Sequence, residues 1–237
     1  MIRLSVNINK IATLRNARGG NTPNVVEAAK RLESFGAQGI TVHPRPDERH
    51  IRYADVRDLT QVVTTEFNIE GNPNQKFTDL VLEAKPAQVT LVPDAEDVLT
   101  SNSGWDTIKH KDFLKEVIAN YKAHGIRTSV FVDPQVDMVK GASEVGADRI
   151  ELYAESYAQA YSKDKAKAIQ PYILCAEEAK RLGLGINAGH DLSLENIEFF
   201  AKNIPFLDEV SIGHALISEA LYEGLETVVK SYLKKLS

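Results

Sequence analysis

Cysteine is all but missing from this chain: Cys175 stands alone among 237 residues. An intramolecular disulfide is thereby excluded, and a reducing, cytoplasmic setting is the expectation. The thiol lies in a helical apolar run and reads as packing. No apolar stretch approaches the roughly 20 residues of a membrane-spanning helix, and Met1-Ile2-Arg3-Leu4-Ser5-Val6 enters a strand pattern without the charged-then-apolar order of a signal peptide. Positive charge is also in deficit. With 28 basic against 33 acidic residues the formal net charge is -5, so the chain has no general attraction for nucleic acid or an anionic membrane, and an anionic ligand must be held by a local cluster. Linkers, low-complexity tracts and charge blocks that would mark a second domain are absent as well.

What is present is a repeated unit. A glycine closes a helix and leads into a short apolar strand at Gly36, Gly125, Gly146 and Gly183, and the seventh residue after Gly36 and after Gly183 is a histidine, His43 and His190. Glycine at a helix C′ position takes the left-handed conformation without steric cost, so each unit reads as helix, tight turn, buried strand. Strand patterns occupy residues 4–8, 39–43, 67–70, 87–92, 128–132, 149–152, 184–187 and 209–212. Between them Thr22-Pro23, Asn72-Pro73 and Asp133-Pro134 offer a capping side chain before a proline suited to the first helical turn. Ile217, Leu221, Leu225, Val228, Tyr232 and Leu236 form the seam of one last helix. Eight strands, each followed by a helix, in a chain of this length and 43% hydrophobic residues, predict one α/β domain over 1–237, a (β/α)8 TIM barrel. Residues 155–170 supply an extra helix or a subunit contact. A doubly wound open sheet is the alternative, although the glycine-rich dinucleotide fingerprint after its first strand is missing. The polar stretch 94–106 reads either as a lid or as an ordinary surface loop.

In such a barrel the strand ends share one face, and there the polar residues collect. Asn7 and Asn9 end the first strand, His43 the second and Glu70 the third; Glu151 lies in the sixth; His190 follows the seventh, and Gly213-His214 the eighth. Three histidines converging with a glutamate favour acid/base chemistry, because imidazole titrates near neutrality and a buried carboxylate is raised toward it. His110 and His124 sit on polar helical stretches and read as solvated. A cationic group accompanies the histidines: Lys10, Arg15 and Arg18 in one rim loop, and Arg45, Arg49, His50 and Arg52 in the next. Guanidinium forks in a net acidic chain suggest oxyanion binding, with salt bridges to Asp47 and Glu48 as the plainer reading. A second anion seat is expected at Ser211-Ile212-Gly213-His214-Ala215, where backbone N–H groups open a helix.

These residues closely resemble one family. Residues 7–19 (Asn-Ile-Asn-Lys-Ile-Ala-Thr-Leu-Arg-Asn-Ala-Arg-Gly) and 39–51, Asn68-Ile69-Glu70, Asn187-Ala188-Gly189-His190 and Ile212-Gly213-His214-Ala215 look like the signature blocks of pyridoxine 5′-phosphate synthases, in the family's order and over essentially the whole chain. The first two blocks are highly specific; the later ones are short. The resemblance implies a TIM barrel that condenses 1-deoxy-D-xylulose 5-phosphate with 3-amino-2-oxopropyl phosphate into pyridoxine 5′-phosphate, phosphate and water, without a cofactor or metal, as a homo-oligomer. It implies His43 and Glu70 as proton acceptors and His190 as proton donor. Asn7 and Arg18 would contact the aminoketone phosphate, and Arg45, His50 and Thr100 the pentulose phosphate; Gly213 and His214 match the phosphate-binding turn. Two positions depart from the common pattern: Asn9-Lys10 replaces an Asp-His pair, and Asp191 a glycine. Both stretches are assigned to substrate binding.

Other classes stay open on the residues alone. A Schiff-base aldolase would need a lysine inside the barrel, where only Lys10 lies near the rim. His43, His190 and Glu70 would serve as a two-histidine, one-carboxylate metal site, although no compact ligand motif supports it. A phospholigand-binding protein would need only the cationic loops.

Overall fold

The computed structural model describes residues 1–94 and 103–237. Strands β1 (Arg3–Asn7), β2 (Gly39–Val42), β3 (Glu66–Gly71), β4 (Gln88–Leu91), β5 (Arg127–Val132), β6 (Arg149–Tyr153), β7 (Gly185–Gly189) and β8 (Leu207–Ile212) pair in parallel, each with the next. β8 returns to β1 through Arg3↔Glu209 to Val6↔Ile212, so the sheet closes into a barrel and the open-sheet alternative is set aside. All eight strands lie within two residues of their predicted bounds. The four leading glycines, Gly36, Gly125, Gly146 and Gly183, have φ of +107, +76, +84 and +77°.

Helices α1 (Asn9–Asn16) and α2 (Val25–Ser34) both follow β1. α3 (Tyr53–Thr60), α4 (Gln75–Ala84), α5 (Lys111–Ala123) and α6 (Val136–Glu144) follow β2 to β5 in turn. α7 (Glu155–Ala168) and α8 (Gln170–Arg181) join β6 to β7, α9 (Ile197–Asn203) precedes β8, and α10 (His214–Glu223) and α11 (Leu225–Leu236) end the chain. The predicted extra helix is thus α7. Cys175 is buried in α8, and burial pushes its thiol up to about 12, as packing requires. No helix of the described residues is long and apolar enough to cross a membrane.

Two local expectations need correction. The proline-led helix starts fall two residues early: α2 and α4 are capped by the side chains of Asn24 and Asn74, which accept from Glu27 and Phe77 N–H at 2.8 and 2.9 Å, and α6 begins after Gln135. Each proline therefore sits in the approach to its helix. The last helical seam is also broken, because Gly224 (φ +86°) separates α10 from α11. Val228, Tyr232 and Leu236 bury against the barrel, whereas Leu221 is 71% exposed.

The strands alternate. Leu4, Val6, Ile40, Val42, Ile69, Val89, Leu91, Val130, Ile150, Leu152, Ile186 and Val210 are fully buried among the helices, while the residues between them are polar and face the lumen. A parallel strand usually reads as a continuous apolar run; this interior is hydrogen-bonded instead. Ser5 meets Thr41 (2.7 Å), Asn68 donates to Thr41 (3.3 Å), and Thr90 donates to Asn68 (3.1 Å). At the N-terminal end Arg127 forks onto Glu66 (3.0 and 2.9 Å), Arg3 reaches the same carboxylate (2.9 Å), and Arg149 donates to Asn187 (2.8 Å). β3 is not adjacent to β1 or β5, so the Glu66 contacts cross the lumen.

Candidate active site

At the C-terminal end of the strands the lumen opens into a cavity of about 560 Å³. Asn7, Asn9, Lys10, His43, Arg45, His50, Glu70, His190, Asp191, Gly213 and His214, eleven of the predicted site residues, line it. Arg18 is exposed in the turn after α1 and does not line the cavity, and Thr100 lies outside the described residues. Of the other rim cations, Arg15 is a structural residue. It is 2% exposed and forks onto Asp55, with a further bond to the His50 carbonyl (3.1 Å). Arg52 donates to Asn16 (2.9 Å), and Arg49, which does line the cavity, pairs with Asp47 (2.8 Å).

Two histidine–carboxylate couples meet at this end of the lumen. Glu70, at the end of β3 and 2% exposed, accepts from Asn7 Nδ2 at 2.9 Å, and its Oε1 lies 3.6 Å from His43 Nδ1. Asn9 fixes the end of β2 by accepting from the His43 backbone N–H at 2.9 Å. Burial alone would raise Glu70, but its bond to His43 and the charges of His43 and His190 outweigh it, and the carboxyl is held below its ordinary value. The second couple is His190 and Glu151, 3.7 Å apart, with Glu151 1% exposed. Burial pushes Glu151 up and the Glu70 charge adds to it. For His190 burial works the other way, yet Glu151, Glu70 and Asp191 overcome it and lift the imidazole to about 9. This couple therefore holds a proton beyond neutral pH.

The loop after β7 aims His190. His190 and Asp191 take φ of +63 and +58°, a conformation costing a non-glycine residue on the order of 1 kcal/mol or more. The turn is fixed by Leu192 N–H on the His190 carbonyl (2.8 Å) and Asn196 Nδ2 on the Asp191 carbonyl (3.2 Å). The ring then packs on Phe131 and Tyr153, with centroids 4.8 and 5.8 Å away. Gly189 makes room for Glu151: a Cβ there would stand 2.4 Å from Glu151 Oε1. Among the described residues Glu70 Oε2, both Glu151 oxygens and His190 Nδ1 are buried without a hydrogen-bond partner, a concentration expected of groups that meet a ligand.

The rim offers donors. Ile51 N–H donates to His50 Nδ1 at 2.9 Å, and burial with the charges of His43, Arg45 and Lys10 pushes His50 down to about 3. Its ring is therefore neutral and carries its proton on Nε2. Across the cavity Ser211 to Ala215 line the wall, and α10 starts at His214, within the stretch expected to hold an anion. His110 stacks edge-on against Trp105 (5.3 Å), and His124 bonds the Asn120 carbonyl (2.9 Å), both away from the cavity. Among the described residues no group of three or more His, Cys, Asp or Glu is placed to hold a metal ion.

A family model described as pyridoxal phosphate biosynthesis protein PdxJ matches residues 4–237. The chain belongs to the PdxJ family. Curated relatives named pyridoxine 5′-phosphate synthase include one from Christiangramia forsetii, 70% identical over 236 residues, and one from Flavobacterium johnsoniae, 65% identical, each with 100% of both chains covered. Among solved structures, a phosphoribosylanthranilate isomerase from Thermotoga maritima superposes with a TM-score of 0.63 at 14% identity, over 100% of this chain and 98% of that one, which speaks for the barrel alone. In this PdxJ-family chain the sequence assigns no role to Tyr153 and Glu155, which line the cavity, or to Glu151, buried behind His190. Glu151 was visible only as a polar residue inside a strand. Tyr153 and Glu155, joined at 2.8 Å through the tyrosine hydroxyl, lie at the β6–α7 junction, where Glu155 reads as an ordinary helix start.

Proposed function

We propose that this enzyme of the PdxJ family is a pyridoxine 5′-phosphate synthase, joining 1-deoxy-D-xylulose 5-phosphate and 3-amino-2-oxopropyl phosphate. The observation that carries the reading is the pair of couples, His43–Glu70 and His190–Glu151: His43, Glu70 and His190 line one cavity with Lys10, Arg45 and Arg49, and Glu151 is buried 3.7 Å from His190. Building an aromatic ring from a ketone and an amine requires imine formation, successive proton shifts and loss of water and phosphate. Acids and bases of different strength serve those steps.

Glu70, held ionised and aimed by Asn7, takes protons from the condensing pair, with His43 as its partner. His190, kept protonated by Glu151, gives a proton to a departing oxygen. Arg45 and the Nε2–H of His50 receive one phosphate, and the N–H groups at Gly213 and His214 the other. Lys10 is exposed at the rim and serves binding. The reading includes a cytoplasmic setting, which the single buried thiol suits, and assembly with further copies of the chain.

The test is direct. Purified protein incubated with both substrates is expected to produce the absorbance of pyridoxine 5′-phosphate and to release inorganic phosphate, and to do neither when one substrate is left out. Tight binding of both substrates with no product would reduce the protein to a phospholigand carrier, and borohydride trapping of substrate on Lys10 would turn the reading toward an aldolase.

A further inference from the structure

Behind the second-strand rim lies a smaller cavity of about 160 Å³, bordered by His43, Arg45, Asn72, Phe77 and Asp94 among others. Arg45 borders both cavities; Asp94, three residues beyond β4, borders the smaller one and is not among the residues lining the large one. Arg45 Nη2 donates to Asp94 Oδ2 in a short contact, and the two side chains are 4% and 5% exposed. Arg45, with His43, thus stands between the two spaces, and Asp94 bonds its guanidinium from the residues of the smaller one.

We propose that Asp94 is a positioning residue: it holds the Arg45 guanidinium from behind, so that the fork presents its cavity-side edge in one fixed orientation to the phosphate of the pentulose substrate. The proposal rests on the proposed function for the identity of that substrate. An arginine side chain has many rotamers, and freezing one on binding weakens the complex. A buried carboxylate bonded to the guanidinium removes that freedom before the substrate arrives. It also makes the buried guanidinium tolerable in the free enzyme, where an unpaired charge would be costly.

Electrostatics gives the opposing expectation, which makes the idea testable. Neutralising Asp94 increases the net positive charge around Arg45 and by itself would tighten anion binding; a loss of affinity confined to the pentulose phosphate therefore points to lost orientation. Asp94→Asn is therefore expected to weaken 1-deoxy-D-xylulose 5-phosphate about tenfold to a hundredfold, read both as KM and as calorimetric Kd. KM for the aminoketone phosphate and kcat should stay within about threefold. Asp94→Glu keeps the charge but moves the carboxylate by one methylene; it is expected to weaken the same substrate, and it stands in if the asparagine variant does not fold.

Unchanged or tighter pentulose binding in a folded variant overturns the proposal, as does an equal rise in both KM values, which marks a merely structural contact. If the wild type neither binds nor converts the pentulose phosphate, the proposed function fails and this inference falls with it. Wild-type turnover with indifferent Asp94 variants sinks the inference alone.

Discussion

At the N-terminal end of the barrel lumen Glu66 and Glu209 lie among Arg3, Arg127 and Arg149, whereas at the C-terminal end Glu70 and Glu151 face His43 and His190. Each end holds two carboxyl groups whose acidities are driven apart. For Glu66 burial is overcome by the Arg127 fork and it falls to about 2; Glu209, buried and beside Glu66, rises to about 8. At the other end Glu70 is lowered and Glu151 raised. The difference lies in the cations. Arginine stays charged throughout the physiological range, and the Arg127 fork locks Glu66, although Glu209 Oε2 is buried without a hydrogen-bond partner among the described residues. Histidine gains and loses its proton near neutrality, and around the upper pair several buried polar atoms lack a protein partner. One arrangement of acids forms a floor with arginine and, in the proposed function, a reaction centre with histidine.

The largest expected effect tests that division. Glu70→Gln should lower kcat by about 10²- to 10⁴-fold, the span of a lost general base, with the fold retained by circular dichroism. Glu209→Gln at the floor should leave kcat unchanged. Equal losses at both ends would mean that the whole lumen, not its upper end, carries the chemistry.

A smaller effect sharpens the comparison within the upper end. As the proposed proton donor, His190 would act while protonated, so kcat/KM is expected to fall as the pH rises through about 9. Glu151 is the nearest group that holds this value above the ordinary 6.5. Glu151→Gln should therefore move the alkaline limb toward lower pH, while His50, already neutral down to about 3, adds no limb of its own. An alkaline limb that stays in place in Glu151→Gln would assign it to another group.

Much of this was legible in the sequence, for reasons particular residues make plain. The glycines that need a left-handed turn mark where helices end, and from Gly36 and Gly183 the count of seven leads to His43 and His190 at strand ends. Their convergence followed from one property of parallel barrels, that all strand ends share a face. The helix starts differ from the proline pattern because asparagine caps at Asn24 and Asn74 stand after the prolines, and a proline fits the approach to a helix as well as its first turn. Arg15 and Arg45 look alike in sequence, yet one forks onto Asp55 beneath α3 and the other borders the cavity. That difference is set by partners 40 and 49 residues away, which no local pattern contains. Glu151 was obscured by the same limit: a charged residue in a strand declares its importance only when the lumen is seen to be polar.

The smallest expected effect concerns the floor and is a matter of stability. Glu209 is faced by Arg3 on β1, Glu66 on β3, and the charges of Arg149 on β6, with Arg127 on β5 holding Glu66. Its carboxyl rises from an ordinary 4.5 to about 8 in the fold, so the native chain keeps a proton that the unfolded chain releases. Stability from this group is complete below the unfolded value and is lost as the pH climbs through the folded one. Glutamine at 209 retains a neutral donor toward Glu66 and cannot titrate. Glu209→Gln should match the wild type in thermal unfolding near pH 4 and exceed it near pH 9, each kcal/mol being worth about 2–4 °C in a chain of this size. Unfolding curves that remain parallel across that range would show that Glu209 is ionised throughout, and that the floor is held by its arginines without a shared proton.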